Sequence, residues 1–221
     1  MKLSPFFAKF TGAKTHLELL MQFDFCTQEE CNRLCKAVDK HAQPSVHLNL
    51  STGKALPQQN FRRSNTLVLH PADPLCFSIV ERMAGVLDFS PSQAEPPNII
   101  KYQPGDYFKP HVDGFSPIHF ALAHSGASDR LVELNSAGNR TWTLMLYLND
   151  DFIGGQTNFP LMSIAFIAKP GLLVGWKNTH TNEVIPESLH QSTEIISGYK
   201  YVFVVPFREN HCDHDSTSYY L

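Results

Sequence analysis

His111-Val112-Asp113 places an imidazole and a carboxylate two residues apart. In an extended strand, side chains at i and i+2 point to the same face, so this pair can grip one ion. Alone the triplet is weak, because a surface His–Asp hydrogen bond accounts for it equally well. It gains weight from His190, in Ser188-Leu189-His190-Gln191, and from Lys200, which opens the strand that follows. Two imidazoles and one carboxylate on one side of a metal leave positions vacant on the other. That donor set suits non-haem Fe(II) chemistry with O2, and it also makes catalytic zinc sites. A bidentate 2-oxo acid would fill two vacant positions and O2 the third. Its distal carboxylate would then need a cation and a hydroxyl donor, since an unpaired buried charge is costly. Lys200 and Tyr147 face the right way to supply them. A zinc hydrolase would leave both without a role.

Short strands must position these groups. Ile99–Tyr102 reads as one strand, ended by Pro104-Gly105. Thr141–Leu148 is a second, with Trp142, Leu144, Leu146 and Leu148 on one face and Thr143, Met145 and Tyr147 on the other. Leu172–Trp176 follows the Pro170-Gly171 turn, and Tyr199–Val205 puts Lys200, Val202 and Val204 on a shared face. Upstream, Thr27-Gln28-Glu29-Glu30 is a capping box, with Cys31, Leu34, Cys35 and Val38 on one side of the helix it opens. Phe77–Leu87 reads as a second helix. Helices first, then strands separated by Gly and Pro turns, indicate an α+β chain with helices packed on a jelly roll.

The 221 residues are 43% hydrophobic and 18% charged, with a formal charge of −3. Wholesale disorder is excluded, and the basic footprint of a nucleic-acid binder or a polybasic membrane anchor is lacking. Five cysteines in no disulfide-framework spacing, and no apolar run of membrane-spanning length, suggest a soluble, cytoplasmic protein.

The ordered motifs resemble the Fe(II)/2-oxoglutarate-dependent dioxygenases, specifically the collagen-type prolyl 4-hydroxylase branch. The matching segments are Tyr102-Gln103-Pro104-Gly105-Asp106-Tyr107 leading into His111-Val112-Asp113; Leu146-Tyr147-Leu148-Asn149; Gly154-Gly155-Gln156-Thr157-Asn158-Phe159-Pro160; Lys169-Pro170-Gly171 through Trp176; and Leu189-His190 through Gly198-Tyr199-Lys200. The resemblance implies a double-stranded β-helix over residues 96–209, a helical support and loop region over 1–95, and a polar tail over 210–221. It implies iron on His111, Asp113 and His190. Lys200 and Tyr147 would meet the distal carboxylate of 2-oxoglutarate, with Tyr102 and Thr157 lining the pocket. Fe(2+), 2-oxoglutarate and O2 would be required, with ascorbate as a possible reductant. The implied reaction hydroxylates prolyl residues of a protein or peptide as 2-oxoglutarate is converted to succinate and CO2. The alternative keeps the machinery and hydroxylates, desaturates or cyclises a free amino acid or small metabolite. Tyr201, Pro206 and Gln156 depart from the family pattern; the iron and 2-oxoglutarate residues are all present, so these departures bear on the prolyl substrate and not on the reaction type.

Other candidates read as structural. His211-Cys212-Asp213-His214-Asp215 resembles a metal cluster but is expected to be a solvated tail. Asp150-Asp151 reads as a turn. Arg62 and Arg63 either meet substrate or cover the barrel. Residues 44–61 and 114–139 are long connections and candidate lids.

Overall fold

The structure, a computed structural model, describes residues 4–12, 15–49, 54–56, 60–126, 131 and 133–214. From the N-terminus, β1 (Phe6–Gly12) and β2 (Thr15–Gln22) form a hairpin. Helix α1 (Gln28–His41) follows, then short strands β3 (Gln43–Pro44), β4 (His47–Asn49), β5 (Lys54–Leu56), β6 (Arg62–Arg63) and β7 (Asn65–Val68). Helix α2 (Phe77–Leu87) leads to β8 (Asn98–Tyr102) and β9 (Tyr107–His111). Helices α3 (Pro117–His124) and α4 (Leu134–Ala137) lie on the way to β10 (Arg140–Tyr147). The remainder is β11 (Phe152–Gly154), β12 (Thr157–Phe159), β13 (Ile164–Phe166), β14 (Leu173–Lys177), β15 (Thr179–His180), β16 (Glu183–Val184), β17 (His190–Ser192), β18 (Ile195–Gly198) and β19 (Lys200–Arg208).

Eight strands form the major sheet in the order β1-β2-β14-β10-β19-β8-β7-β3, and five form the minor sheet, β13-β12-β17-β9-β6. The two-residue period of β10 divides the core. Trp142, Leu144, Leu146 and Leu148 pack outward with Leu34 and Val38 of α1 and Ile79 and Met83 of α2. Met145 and Tyr147 point inward, among Tyr102, Phe159, Phe166, Val174, Trp176 and Val202 contributed by both sheets. Burying each such aliphatic side chain contributes about 1.5–3 kcal/mol, so the helices are fastened to the sheet's back while its front is left to the site. The expected capping box starts α1: Thr27 Oγ1 accepts from Glu30 N at 3.2 Å and Glu30 Oε2 accepts from Thr27 N at 2.8 Å.

The last strand does not stop before Pro206. It runs to Arg208, because the Pro206 carbonyl points toward Glu95 N (2.8 Å), beyond the end of β8. The missing amide hydrogen lies on that same side, where no ladder bond is lost. The tail expectation also needs correction. Cys212 is buried, its N–H donates to Ser92 O at 2.8 Å, and a His214 ring nitrogen lies 2.8 Å from Ala94 O. The 211–214 segment is therefore docked on the turn before β8, while 215–221 lie outside the described residues. Of the two long connections, 50–53, 57–59, 127–130 and 132 likewise lie outside them. Among the described residues, no helix is long and apolar enough to cross a membrane.

Candidate active site

His111 closes β9, His190 opens β17, and the two are Cα partners across the minor sheet. Asp113 lies beyond the strand, in the bend after β9, rather than two residues further along a ladder. The three side chains still converge: one ligand atom from each of His111, Asp113 and His190 falls within 4.8 Å of the others. Asp113 Oδ1 is 3.6 Å from His111 Nε2, and its Oδ2 is 3.8 Å from His190 Nε2. Among the described residues, no other group of three such side chains comes together.

Backbone carbonyls set both tautomers. His111 Nδ1 donates to Lys109 O at 2.8 Å and His190 Nδ1 donates to Ser188 O at 2.9 Å, which turns both Nε2 lone pairs toward Asp113. Burial, reinforced by His190, holds the His111 pKa far below the usual imidazole range. Burial alone would raise the Asp113 pKa, but His190, His111 and Arg140 outweigh it and hold the carboxyl ionised. A neutral His111 imidazole and an ionised Asp113 carboxylate are in the states in which they can bind a divalent ion, and with His190 they make a donor set that fits Fe(II).

Lys200, on β19, is 1% exposed. Its Nζ donates to Gly155 O (2.8 Å), Thr157 Oγ1 (3.0 Å) and Ser192 Oγ (3.1 Å), all neutral acceptors. No carboxylate pairs with it among the described residues, and burial pushes its pKa down to about 7. Gly155 can supply that carbonyl because its φ of +60° suits glycine, and a Cβ there would run into Ile195 Cδ1. The Tyr147 hydroxyl, buried beside Thr157, has no hydrogen-bond partner of acceptable geometry among the described residues. Tyr102 and Tyr147 present their rings to Nζ at 5.3 and 5.7 Å. A buried cation lacking an anion, next to an unsatisfied hydroxyl, fits one end of a small dicarboxylate. A cavity of about 280 Å³, lined by Tyr147, Phe152, Gly155 and Phe166 among others, adjoins this corner.

The model of the 2OG-Fe(II) oxygenase superfamily matches residues 97–208, which carry every group just described. The chain belongs to the 2OG-Fe(II) oxygenase superfamily. Members take their name from Fe(II) and 2-oxoglutarate, which react with O2. This oxygenase is 26% identical over 200 residues to prolyl 4-hydroxylase 1 of Arabidopsis thaliana, covering 83% of the chain and 66% of the relative. It is also 26% identical to prolyl 4-hydroxylase subunit alpha-3 of Rattus norvegicus, covering 81% of the chain and 31% of the subunit. The chain thus spans under two thirds of these relatives' length. The fold is similar to that of viral collagen prolyl hydroxylase from Paramecium bursaria Chlorella virus-1 (TM-score 0.64, 20% identity, 86% and 95% of the two chains).

The structure brings together all seven residues singled out from sequence: His111, Asp113 and His190 at one end, and Lys200, Tyr147, Tyr102 and Thr157 at the other. It adds Thr143, whose Oγ1 donates to Asp113 Oδ2 at 2.7 Å while accepting from Asn178 Nδ2 at 2.9 Å. It also adds Ser192 beside Lys200, and Phe108, stacked 3.6 Å from the His111 ring. The signal for Thr143 and Ser192 was the strand period, since each shares a face with a residue already chosen. Arg62 lies over the Phe108 ring at 4.7 Å, so it covers the histidine side of the site. Arg63 is exposed, as are Asp150 and Asp151 in their connection. Of the three departures from the family pattern, Tyr201 turns outward and donates to Asp39 Oδ1 at 3.0 Å; Pro206 lies opposite Thr143 in the sheet.

Proposed function

We propose that this oxygenase hydroxylates prolyl residues in a protein or peptide, converting 2-oxoglutarate and O2 to succinate and CO2. The observation that carries the reading is the pairing of a His111–Asp113–His190 donor set with Lys200, a buried cation that no carboxylate among the described residues neutralises. The prolyl preference is supported by the curated relatives, both prolyl 4-hydroxylases.

When bound, iron with 2-oxoglutarate supplies the oxidising power that inserts oxygen into an unactivated C–H bond. The chain's own residues do the holding. His111, Asp113 and His190 would bind the metal, with Thr143 orienting the carboxylate. Lys200 would pair with the distal carboxylate of 2-oxoglutarate, and the Tyr147 hydroxyl would donate to it, ending its unsatisfied state. Phe159 and Trp176, with ring centroids 5.7 and 4.5 Å from that of His190, would keep water from the interior. Tyr102 would line the cosubstrate channel. We assign this work to residues 96–209, with 1–95 as their support. Cys26, Cys31, Cys35 and Cys76 are unbridged, which suits a reducing, cytoplasmic setting. Ascorbate as a reductant belongs to the same proposal.

Anaerobic titration of metal-stripped protein with Fe(II) and then 2-oxoglutarate tests the cofactor reading. A visible metal-to-ligand charge-transfer band is expected, absent in His190→Ala. No band in folded, iron-loaded protein would overturn it. Prolyl peptides supplied with O2 should then gain one oxygen atom, mapped to proline by fragmentation. Oxygen incorporated into free amino acids but into no peptide would move the substrate to small metabolites.

A further inference from the structure

The two histidines are spaced by a strand ladder, but Asp113 lies outside it, and among the described residues its main chain is held from elsewhere. Arg140 Nη1 donates to Asp113 O at 3.4 Å. Gly114 is wedged where a Cβ would come 3.2 Å from the methyl carbons of Thr179 and Val184. Phe115 is gripped on both sides of its peptide unit. Asn139 Oδ1 accepts from Phe115 N at 2.7 Å, and Asn139 Nδ2 donates to Phe115 O at 2.8 Å.

Asn139 is itself immobilised. It is 1% exposed. Its N–H donates to Glu209 Oε2 and its carbonyl accepts from Glu209 N, both at 3.0 Å. Behind it, the guanidiniums of Arg140 and Arg208 each lie 4.8 Å from the Phe115 ring centroid, and both pair with the buried carboxylate of Glu95. Residues 115 and 139 are thus the neck of the long excursion that carries α3 and α4. The neck is closed by the Asn139 side chain, next to β10, and backed by Arg140 and Arg208 of the major sheet.

We propose that Asn139 is a positioning residue for the metal carboxylate, acting through Phe115, with Glu95, Arg140 and Arg208 as its rigid backing. The proposal rests on the reading of His111, Asp113 and His190 as the metal's ligands. A carboxylate two residues from the neck has its position set by the neck, and displaced donors cost affinity as lost outer partners do. The cluster's burial explains why sequence alone does not mark it: Asn139 and Phe115 are 24 residues apart and meet only in the fold.

The test is Co(II) titration of the apoprotein, followed by its visible absorption, for wild type, Asn139→Ala, His190→Ala and Arg82→Met. Arg82 bonds Phe25 O and Glu30 away from the site, so its variant controls for general destabilisation. Asn139→Ala is expected to bind Co(II) about 10–100-fold more weakly, with an altered spectrum, at temperatures well below its melting. Arg82→Met should match wild type in both. Wild-type affinity and spectrum in Asn139→Ala would overturn the proposal. If Asn139→Ala does not fold, Asn139→Ser keeps a small polar side chain that is too short to bridge Phe115 N and Phe115 O. It should weaken Co(II) about tenfold, and unchanged affinity there would overturn the proposal equally. Equal binding by His190→Ala and wild type would instead refute the underlying ligand assignment.

Discussion

His111 and His190 face each other as Cα partners in the antiparallel pairing of β9 with β17, and their ring centroids lie 4.3 Å apart. The separation of the two nitrogen donors is therefore a property of strand register. A slip of one residue would turn one ring to the opposite face of the sheet.

Replacing His190 by alanine removes a donor without removing a ladder bond, because the backbone of β17 still pairs with β9 and β12. Metal bound after dialysis should fall to background and hydroxylation with it, while far-ultraviolet circular dichroism stays at the wild-type level. Stoichiometric metal in His190→Ala would mean that the site lies elsewhere.

Lys200→Met separates cosubstrate binding from stability. The methionine fills similar volume and carries no charge, so the ligand-free protein should be at least as stable as wild type, as when other buried charges are replaced by apolar groups. The KM for 2-oxoglutarate should rise by at least about 30-fold, the order expected when a buried charge-assisted hydrogen bond of about 2–3 kcal/mol is lost. Thermal melting and steady-state kinetics on the same preparation decide it. A large loss of melting temperature with KM unchanged would make Lys200 a structural residue.

The same lysine gives the protein a pH signature. Burial lowers its pKa from the ordinary 10.5 to about 7. Between those values the unfolded chain binds the proton that the ligand-free fold has released, so stability from this group rises with pH across that window. A bound carboxylate requires the ammonium form. Above about pH 7, 2-oxoglutarate binding should take up a proton, and its affinity should drop by up to tenfold per pH unit. Calorimetry of Mn(II)-loaded protein in buffers of differing ionisation enthalpy reads that proton directly, and a pH-independent affinity without proton uptake would contradict it.

How much of this was legible in the sequence depends on how local each determinant is. The faces of β10 follow from a two-residue period, so Tyr147 inward and Leu146 outward could be read directly. The capping box of α1 spans four residues and was equally plain. The position of Asp113 was not, because the point at which β9 leaves the ladder depends on β17, which is remote in sequence. The β1–β2 hairpin escaped notice because Phe6 and Phe7 are both exposed, which blurs the alternation. The 211–214 docking depends on carbonyls of Ser92 and Ala94 that no local pattern reveals.

Thr143 offers the sharpest test of how the carboxylate is oriented. Its hydroxyl accepts from Asn178 Nδ2 and donates to Asp113 Oδ2, and both Thr143 and Asn178 are fully buried. Thr143→Val keeps the shape and deletes the relay. Two consequences should separate in size. Leaving the Asn178 amide without its acceptor should cost about 1–3 kcal/mol of stability. Loss of the bond to Asp113 should weaken Fe(II) binding by about 10–100-fold. Thr143→Ser restores the hydroxyl and should recover metal affinity even if the missing methyl leaves some stability loss in place. Chemical denaturation and anaerobic Fe(II) titration of the two variants measure these effects independently. Equal Fe(II) affinity in the valine and serine variants would show that Asp113 is oriented by its backbone alone.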